Sequence, residues 1–339
     1  MKYTRFGKSG IYTSVIALGT MTFGETNSWK LGGLMQEQVN EMVRRAYDYG
    51  INLYDTADVY DGGESEIALG RAIKGIRDEI HIATKVRGRT GKGINQQGLS
   101  RSHIERSVHG SLERLGTDHI DLYQAHSYDF DTPEEETIEA FQNLVERGLI
   151  DYPGFSNFSS WQMARFNAIA SERNYEMYQS AQLNYSILNR DIEHQELPYI
   201  RHENMSLLSW SPLQGGVLSG KYGRKVELRA GTRMGDRGMI FPYFDQERAP
   251  EILTVIEEIS EEQDCRMSAI SLAWLIAKKS IVIIGARNLE QFEENMSALQ
   301  VNLTGEQIRR IDEVSMQREM YPAWMFRRTS GKKDFEIID

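Results

Sequence analysis

Asp55, Tyr60, Lys85 and His126 are ionisable side chains of four different chemistries, each standing at or just past the end of a short apolar stretch. Asp55 follows 51–54, and Tyr60 comes five residues later in a loop. Lys85 follows 80–84, and His126 lies just beyond 120–124. A free tyrosine has a pKa of about 10, too high for easy proton traffic at neutral pH. A nearby ammonium stabilises tyrosinate and lowers that value. Lys85 would do this while charged, and Asp55 paired with it would keep it charged and aimed. His126 would then hydrogen-bond a substrate oxygen and orient it. The set suits protonation of an oxygen that becomes an alcohol, and it contains no nucleophile–base pair. Metal catalysis is disfavoured. The other histidines show no His-Glu-x-x-His spacing, and the one cysteine, Cys265, stands alone.

Taken singly, each residue has a plain structural reading: a turn-capping aspartate, a packed tyrosine with a wet hydroxyl, a solvated lysine, a turn histidine. They act together only if the elements between them bring them to one place. From residue 15 the chain alternates short apolar runs with helical periodicity. Strands are expected at 15–18, 51–54, 80–84, 120–124, 150–154, 178–183, 206–210 and 281–284. In 36–49, Val39, Met42, Val43 and Ala46 fall at helical spacing, and Gly50 ends the run. Further helices are expected at 64–74, 101–115 (Ser100 as N-cap), 159–172, 192–203, 250–262, 267–278 and 288–299, with an extra one at 304–318. Thr132, Pro133 and Glu135 read as N-cap, N1 and N3 of another helix that ends at Gly148. Residues 211–249, rich in Gly and Arg, break the pattern.

Near the start, Gly7-Lys8-Ser9-Gly10 separates two short extended patches and signals a hairpin. It is not a phosphate loop, which needs an earlier glycine and a preceding strand. Eight βα units predict a closed parallel (β/α)8 barrel, a TIM barrel. It would form one domain over 1–339, with the hairpin at 1–14 and a tail at 319–339. The alternative is an open doubly wound sheet. Gly19 and Gly24 lack the Gly-x-Gly-x-x-Gly spacing of its dinucleotide-binding form. In a barrel the C-terminal strand ends converge on one face, which would gather the four ionisable residues.

Composition narrows the partners. Charged residues are 26% and hydrophobics 40%, as in soluble globular enzymes. A net charge of −10 argues against nucleic acid. No apolar run reaches the ~18 residues of a membrane helix, so no membrane span is expected. The start, Met-Lys-Tyr-Thr-Arg-Phe-Gly, lacks the apolar core of a signal peptide. Lone Cys265 precludes an internal disulfide and points to a reducing, cytoplasmic setting.

Several stretches occur together: Ile16-Ala-Leu-Gly-Thr-Met-Thr-Phe-Gly24, Asn52-Leu-Tyr-Asp-Thr-Ala-Asp-Val-Tyr60, Gly63-Glu-Ser-Glu66, Ser111-Leu-Glu-Arg-Leu-Gly-Thr-Asp118, Asp121-Leu-Tyr-Gln-Ala-His126, Gly154-Phe-Ser-Asn157, Gln182-Leu-Asn-Tyr185 and Ser209-Trp-Ser-Pro-Leu213. In this combination the chain closely resembles the aldo-keto reductase superfamily, nearly end to end. The resemblance implies a (β/α)8 barrel that reduces a small-molecule aldehyde or ketone with a nicotinamide cofactor. It matches Asp55, Tyr60, Lys85 and His126 to the family's catalytic four, with Tyr60 as proton donor. It also implies cofactor contacts. Ser156, Asn157 and Gln182 would hold the nicotinamide carboxamide, and Trp210 would stack on its ring. Ser211, Leu213, Gly215 and Lys221 would cover the pyrophosphate. Gly285, Arg287, Gln291, Glu294 and Asn295 would meet the adenosine half. Thr20, Met21, Asp55 and Pro212 complete the implied set.

Arg287 near a helix start suits a 2′-phosphate, so NADPH is expected over NADH. Some members carry a lysine where this chain has Gly285, so the preference rests on Arg287, Lys221 and Arg233. A second departure is Pro153, where the family has an aliphatic residue. Proline donates no ladder bond, so the fifth strand is expected to be irregular beside Ser156 and Asn157. The same site run in reverse would make an alcohol or sugar dehydrogenase. A third possibility within the superfamily is a cofactor-binding regulatory barrel of a channel, and the full tetrad with His126 favours an enzyme over it. Phe23, Trp29, Tyr128, Phe130 and the loop 221–245 are the expected pocket walls. The segment 322–326 is expected to fold over the site or pack on the barrel wall.

Overall fold

The structure is a computed structural model that describes residues 1–25, 33–228 and 230–325, with only the backbone of Arg233 and Arg237. Strands β1 (Tyr3–Arg5) and β2 (Tyr12–Ser14) form an antiparallel hairpin. The barrel strands are β3 (Ile16–Gly19), β4 (Leu53–Asp55), β5 (His81–Val86), β6 (Ile120–Ala125), β7 (Ile150–Ser156), β8 (Ser180–Asn184), β9 (Ser206–Trp210) and β10 (Ile281–Ile284). They pair in chain order, and β10 returns to β3 to close the barrel. Around it run α1 (Gln36–Asp48), α2 (Glu64–Ala72), α3 (Arg101–Leu115), α4 (Glu134–Glu146), α5 (Ser160–Glu172), α6 (Glu196–His202), α7 (Arg233–Arg237), α8 (Ala249–Glu262), α9 (Met267–Ala277), α10 (Leu289–Met296) and α11 (Gly305–Ser315).

Period-two alternation along the strands divides the interior into two cores. Ala17, Leu53, Ala83, Leu122, Leu208, Ile281 and Ile283 point into the barrel. Their neighbours Ile16, Leu18, Tyr54, Ile82, Val86, Tyr123, Phe155, Val282 and Ile284 point out, under the helices. The inner core is continued by Phe6, which is 1% exposed. The hairpin turn is fastened below the strands, with Gly7 N donating to Ser206 Oγ at 2.8 Å and Lys8 N to Gln179 Oε1 at 2.9 Å. The hairpin therefore closes the end of the barrel opposite the C-terminal strand ends.

Several expectations are corrected. Thr132 does not cap α4, because its hydroxyl donates to Asp129 Oδ2 at 2.7 Å and Pro133 takes the N-cap position. The helix expected at 192–203 is a 3-10 turn at Asp191–Glu193 followed by the shorter α6. Asp55 belongs to its strand rather than following it. The strand carrying Pro153 is regular: β7 runs unbroken over seven residues, with Pro153 opposite Tyr123. The missing donor falls on the β8 side, below the point where β8 begins to pair at Phe155. There Pro153 O accepts from Gln179 N at 3.0 Å, and Met177 O is taken by the Gln179 side chain at 3.0 Å. Two residues further, Phe155 stacks on Tyr178 with ring centroids 4.2 Å apart, which anchors the top of β7.

Candidate active site

Three neighbouring strands bring the four ionisable residues together. Asp55 ends β4, Lys85 is the penultimate residue of β5, and His126 follows β6. Lys85 is fully buried, and its Nζ donates to Asp55 Oδ1 at 2.7 Å, Thr56 O at 2.7 Å and Tyr60 OH at 3.3 Å. Burial alone would lower the lysine's pKa, but the charges of Asp55 and Tyr60 outweigh it and hold the ammonium above its ordinary value. The Tyr60 and His126 rings meet edge to face at 5.9 Å. Burial, then the positive charges of Lys85 and Arg87, push His126 down to about 3, so its ring is neutral at neutral pH.

The loop carrying Tyr60 is held by residues that sequence reasoning placed only within a motif. Ser65 Oγ bonds Thr20 O at 2.8 Å and shares hydrogens with the hydroxyls of Thr20 and Thr56. Glu66, wholly buried, accepts from Thr84 Oγ1 at 2.6 Å and Arg114 Nε at 2.7 Å, tying α2 to β5 and α3. Gly24, at φ 117°, lets the β3 loop close on this one: a Cβ there would stand 2.5 Å from Asp61 Oδ2.

Two glutamines complete the Asp55 carboxylate. Its second oxygen accepts from Gln182 Nε2 at 2.7 Å and Gln124 Nε2 at 3.3 Å. Both glutamines are buried. Gly154 makes room for Gln124, since a Cβ there would lie 3.1 Å from Gln124 Cγ and 2.8 Å from Ser180 Oγ. Gln124 was legible only as part of a strand end. The barrel's stagger, which sequence does not display, puts it level with Lys85 and Gly154. Gln182 Nε2 is committed to Asp55, while Gln182 Oε1 takes no donor among the described residues.

The expected cofactor residues line the rest of the mouth. Asn157, left-handed at φ 56°, donates to His126 O and Ser156 Oγ, both at 3.0 Å, and accepts from Trp210 Nε1 at 3.0 Å. Trp210 is partly exposed and stacks loosely on Phe241, with centroids 6.3 Å apart. Beyond it Ser211, Gln214, Gly215 and Gly216 all have positive φ. Pro212 is buried, while Leu213 remains partly exposed. The Lys221 side chain lies over Gly216, where a Cβ would come 2.5 Å from its Nζ. Across the mouth, Gly285 is exposed and Arg287 partly exposed at the start of α10, where Gln291 Oε1 accepts from Arg287 N at 3.1 Å. Asn295 Nδ2 donates to Gly285 O at 3.4 Å, and Glu294 pairs with Arg266 at 3.5 Å. Met21 is partly exposed at the end of β3. Thr20 is turned inward instead: it is fully buried and its hydroxyl donates to Asp55 O at 3.0 Å.

Among the expected pocket walls, Phe23 is 1% exposed and belongs to the outer core, not to an open pocket. Its position beside Gly24 packs it under the loop rather than into the mouth. Phe130 is 80% exposed and meets Tyr128 edge to face at 4.8 Å. Tyr321 and Trp324 pack on each other and stay exposed. Trp29, the Arg233 side chain and Phe326 lie outside the described residues. At the opposite end of the barrel His119, Asp121 and Asp151 come close together, but Asp121 is already held by Arg77 and His81, each at 2.8 Å.

Closed parallel barrels place their chemistry at the C-terminal strand ends. The groups gathered there in this chain are of types that can exchange protons, and taken with the family match the class is an oxidoreductase that reduces carbonyls. The aldo/keto reductase family profile matches residues 15–316, and the chain belongs to that family, whose members use nicotinamide cofactors. It is 31% identical to a versiconal hemiacetal acetate reductase of Aspergillus parasiticus, over 95% of this chain and 99% of that protein. It is 33% identical to the oxidoreductase YrpG of Bacillus subtilis, over 93% and 96% respectively. An aldo-keto reductase of Alternaria alternata, AFTS1, is 29% identical over 91% of this chain and 90% of its own length. No helix among the described residues is long and apolar enough to cross a membrane.

Proposed function

We propose that the protein reduces an aldehyde or ketone to the alcohol with NADPH, and that Tyr60 supplies the proton. The observation that carries this reading is the Lys85 ammonium, which bridges Asp55 at 2.7 Å and the Tyr60 hydroxyl at 3.3 Å. The residues fit the cofactor. Gln182 Oε1 accepts no hydrogen bond among the described residues, Trp210 offers a partly exposed ring, and the sharp turns at Ser211 and Gln214–Gly216 bring small residues and main chain to the mouth. Bound NADPH supplies the hydride. The neutral His126 ring donates a hydrogen bond that orients the carbonyl oxygen, and Tyr60 gives its proton to that oxygen. Lys85 stabilises the phenolate left behind, and Asp55 keeps Lys85 charged and aimed. Arg287, with Lys221 and Arg233, favours NADPH over NADH by engaging the adenosine phosphate.

Gln182, Ser156 and Asn157 hold the carboxamide, and Gly285, Gln291, Glu294 and Asn295 line the adenosine side. A single barrel domain over 1–339 and a cytoplasmic setting, in keeping with lone Cys265, complete the reading. The test is NADPH oxidation across a panel of aldehydes, ketones and sugars. Tyr60→Phe should lower kcat roughly 10²–10⁴-fold, the usual worth of a positioned proton donor, and leave NADPH affinity unchanged. A variant that keeps a tenth or more of kcat, with chemistry rate-limiting, would remove Tyr60 as the acid.

A further inference from the structure

Arg87 is a charged residue at this mouth to which the proposed reaction gives no task. It stands just past the end of β5, two residues beyond Lys85, with a positive φ of 150° and a partly buried side chain. Its main chain is fixed by Gly98 N, which donates to Arg87 O at 2.8 Å. The guanidinium is close enough to His126 and Asp129 for its charge to act on both. Asp129 does not pair with it, because its oxygens accept from Leu99 N at 2.7 Å, Thr132 Oγ1 at 2.7 Å and Asp131 N at 3.2 Å. Arg87 makes no ion pair among the described residues, and its Nε is buried without a hydrogen-bond partner.

Other partly or wholly buried arginines differ. Arg77, Arg114 and Arg190 each hold a carboxylate at 2.7–2.8 Å. A buried charged donor without an acceptor is costly, and such groups call for a partner that completes them. The guanidinium fork matches the two oxygens of a carboxylate or phosphate.

We propose that Arg87 is the anion-binding residue of the substrate site, so that the preferred carbonyl substrate carries a carboxylate or phosphate. Its carbonyl oxygen lies at Tyr60 and His126 while its anionic group reaches Arg87. This inference rests on the reductase reading above.

Two matched pairs of probes separate the sources of negative charge: succinic semialdehyde against butanal, and glyceraldehyde phosphate against glyceraldehyde. The wild-type enzyme should prefer the charged member of at least one pair in kcat/KM, and which pair it is tells carboxylate from phosphate. Arg87→Met should lower kcat/KM for that member roughly 10- to 100-fold, mainly through KM, and leave its neutral partner unchanged; Arg87→Lys should recover part of the loss. Equal loss on charged and neutral members, or a wild-type preference for the neutral ones, would overturn the proposal. Calorimetry with succinate and inorganic phosphate on the NADP-loaded protein needs no turnover. Binding that disappears in Arg87→Met supports the anion site even if no aldehyde is reduced, and that pairing of results would sink the reductase reading alone. Binding that survives in Arg87→Met removes Arg87 as its seat.

Discussion

Between β4 and β6 the barrel mouth is lined by buried groups that satisfy one another, whereas between β8 and β10 it is lined by partly exposed groups on a bent backbone. On the first side Lys85 and Gln124 are 0% exposed and Asp55 is 2% exposed. Ammonium, carboxylate and amides there form a closed hydrogen-bonded set with Gln182. On the second side Trp210, Ser211, Leu213 and Arg287 are partly exposed. Ser211 at φ 53° and Gln214 at φ 47° sit in a region that costs a non-glycine residue about 1 kcal/mol or more. The difference teaches how the work is divided. Charges that must not rearrange during a reaction are fixed before any ligand arrives. The other side is left open, with partly exposed groups on a sharply turning backbone.

The largest expected effect would break this contrast on the closed side. Lys85→Met leaves the Asp55 carboxylate buried without its cation, so urea unfolding should show a loss of about 3–5 kcal/mol. A variant as stable as the wild type would mean that the closed set is not held by its charges. On the open side, Arg287→Ala should weaken NADPH binding by about 1.5–3 kcal/mol while leaving NADH untouched, read as dissociation constants by fluorescence quenching. Equal wild-type affinities for the two cofactors would take the adenosine phosphate away from Arg287.

Gln124→Leu is a smaller perturbation and sharpens the contrast. It removes one donor from Asp55 and should cost about 1–2 kcal/mol of stability. It should also lower kcat with no change in cofactor affinity; a rise in the NADPH dissociation constant would show that the two sides are not separate.

The smallest effect concerns Asp58, the exception on the closed side. It is 3% exposed, and its two carboxylate oxygens have no side-chain hydrogen-bond partner among the described residues. Burial, then the charge of Glu66, raises its pKa well above the ordinary value. The unfolded chain therefore releases this proton at lower pH than the folded one. The proton's contribution to stability is whole below pH ~4 and is lost as pH rises towards the folded value. Asp58→Asn removes that loss, so its stability relative to wild type should climb steadily from pH ~4 upward. A difference that stays flat with pH would show that Asp58 ionises normally.

What sequence reveals of this site follows the same division. The strand-end position of Asp55, Lys85 and His126 is written in local apolar runs, so the closed side was legible as four residues. Its supporting donors were not. Gln124 and Gln182 reach Asp55 because of the stagger between strands, and stagger belongs to the closed barrel rather than to any one segment. Thr20 shows the same limit in reverse. The family resemblance implies a ligand contact there, yet the hydroxyl turns to Asp55 O, with Ser65 of a distant helix beside it. Pro153 misleads for a geometric reason, since its absent donor falls where the neighbouring strand has not yet begun to pair. The helix expected at 192–203 shortens because 191–193 closes as a separate turn, in which Arg190 pairs with Glu193 at 2.8 Å.

Phe6 and the hairpin beneath the strands make the barrel a blind vessel with one mouth. On the proposed reading, a Tyr60 that has given up its proton would recover it through the opening that the reactants also use. On that reading, cofactor and product filling the opening together would cut the phenolate off from bulk solvent. Recharging the acid would then be tied to departure of the product, each turnover resetting only after the doorway clears.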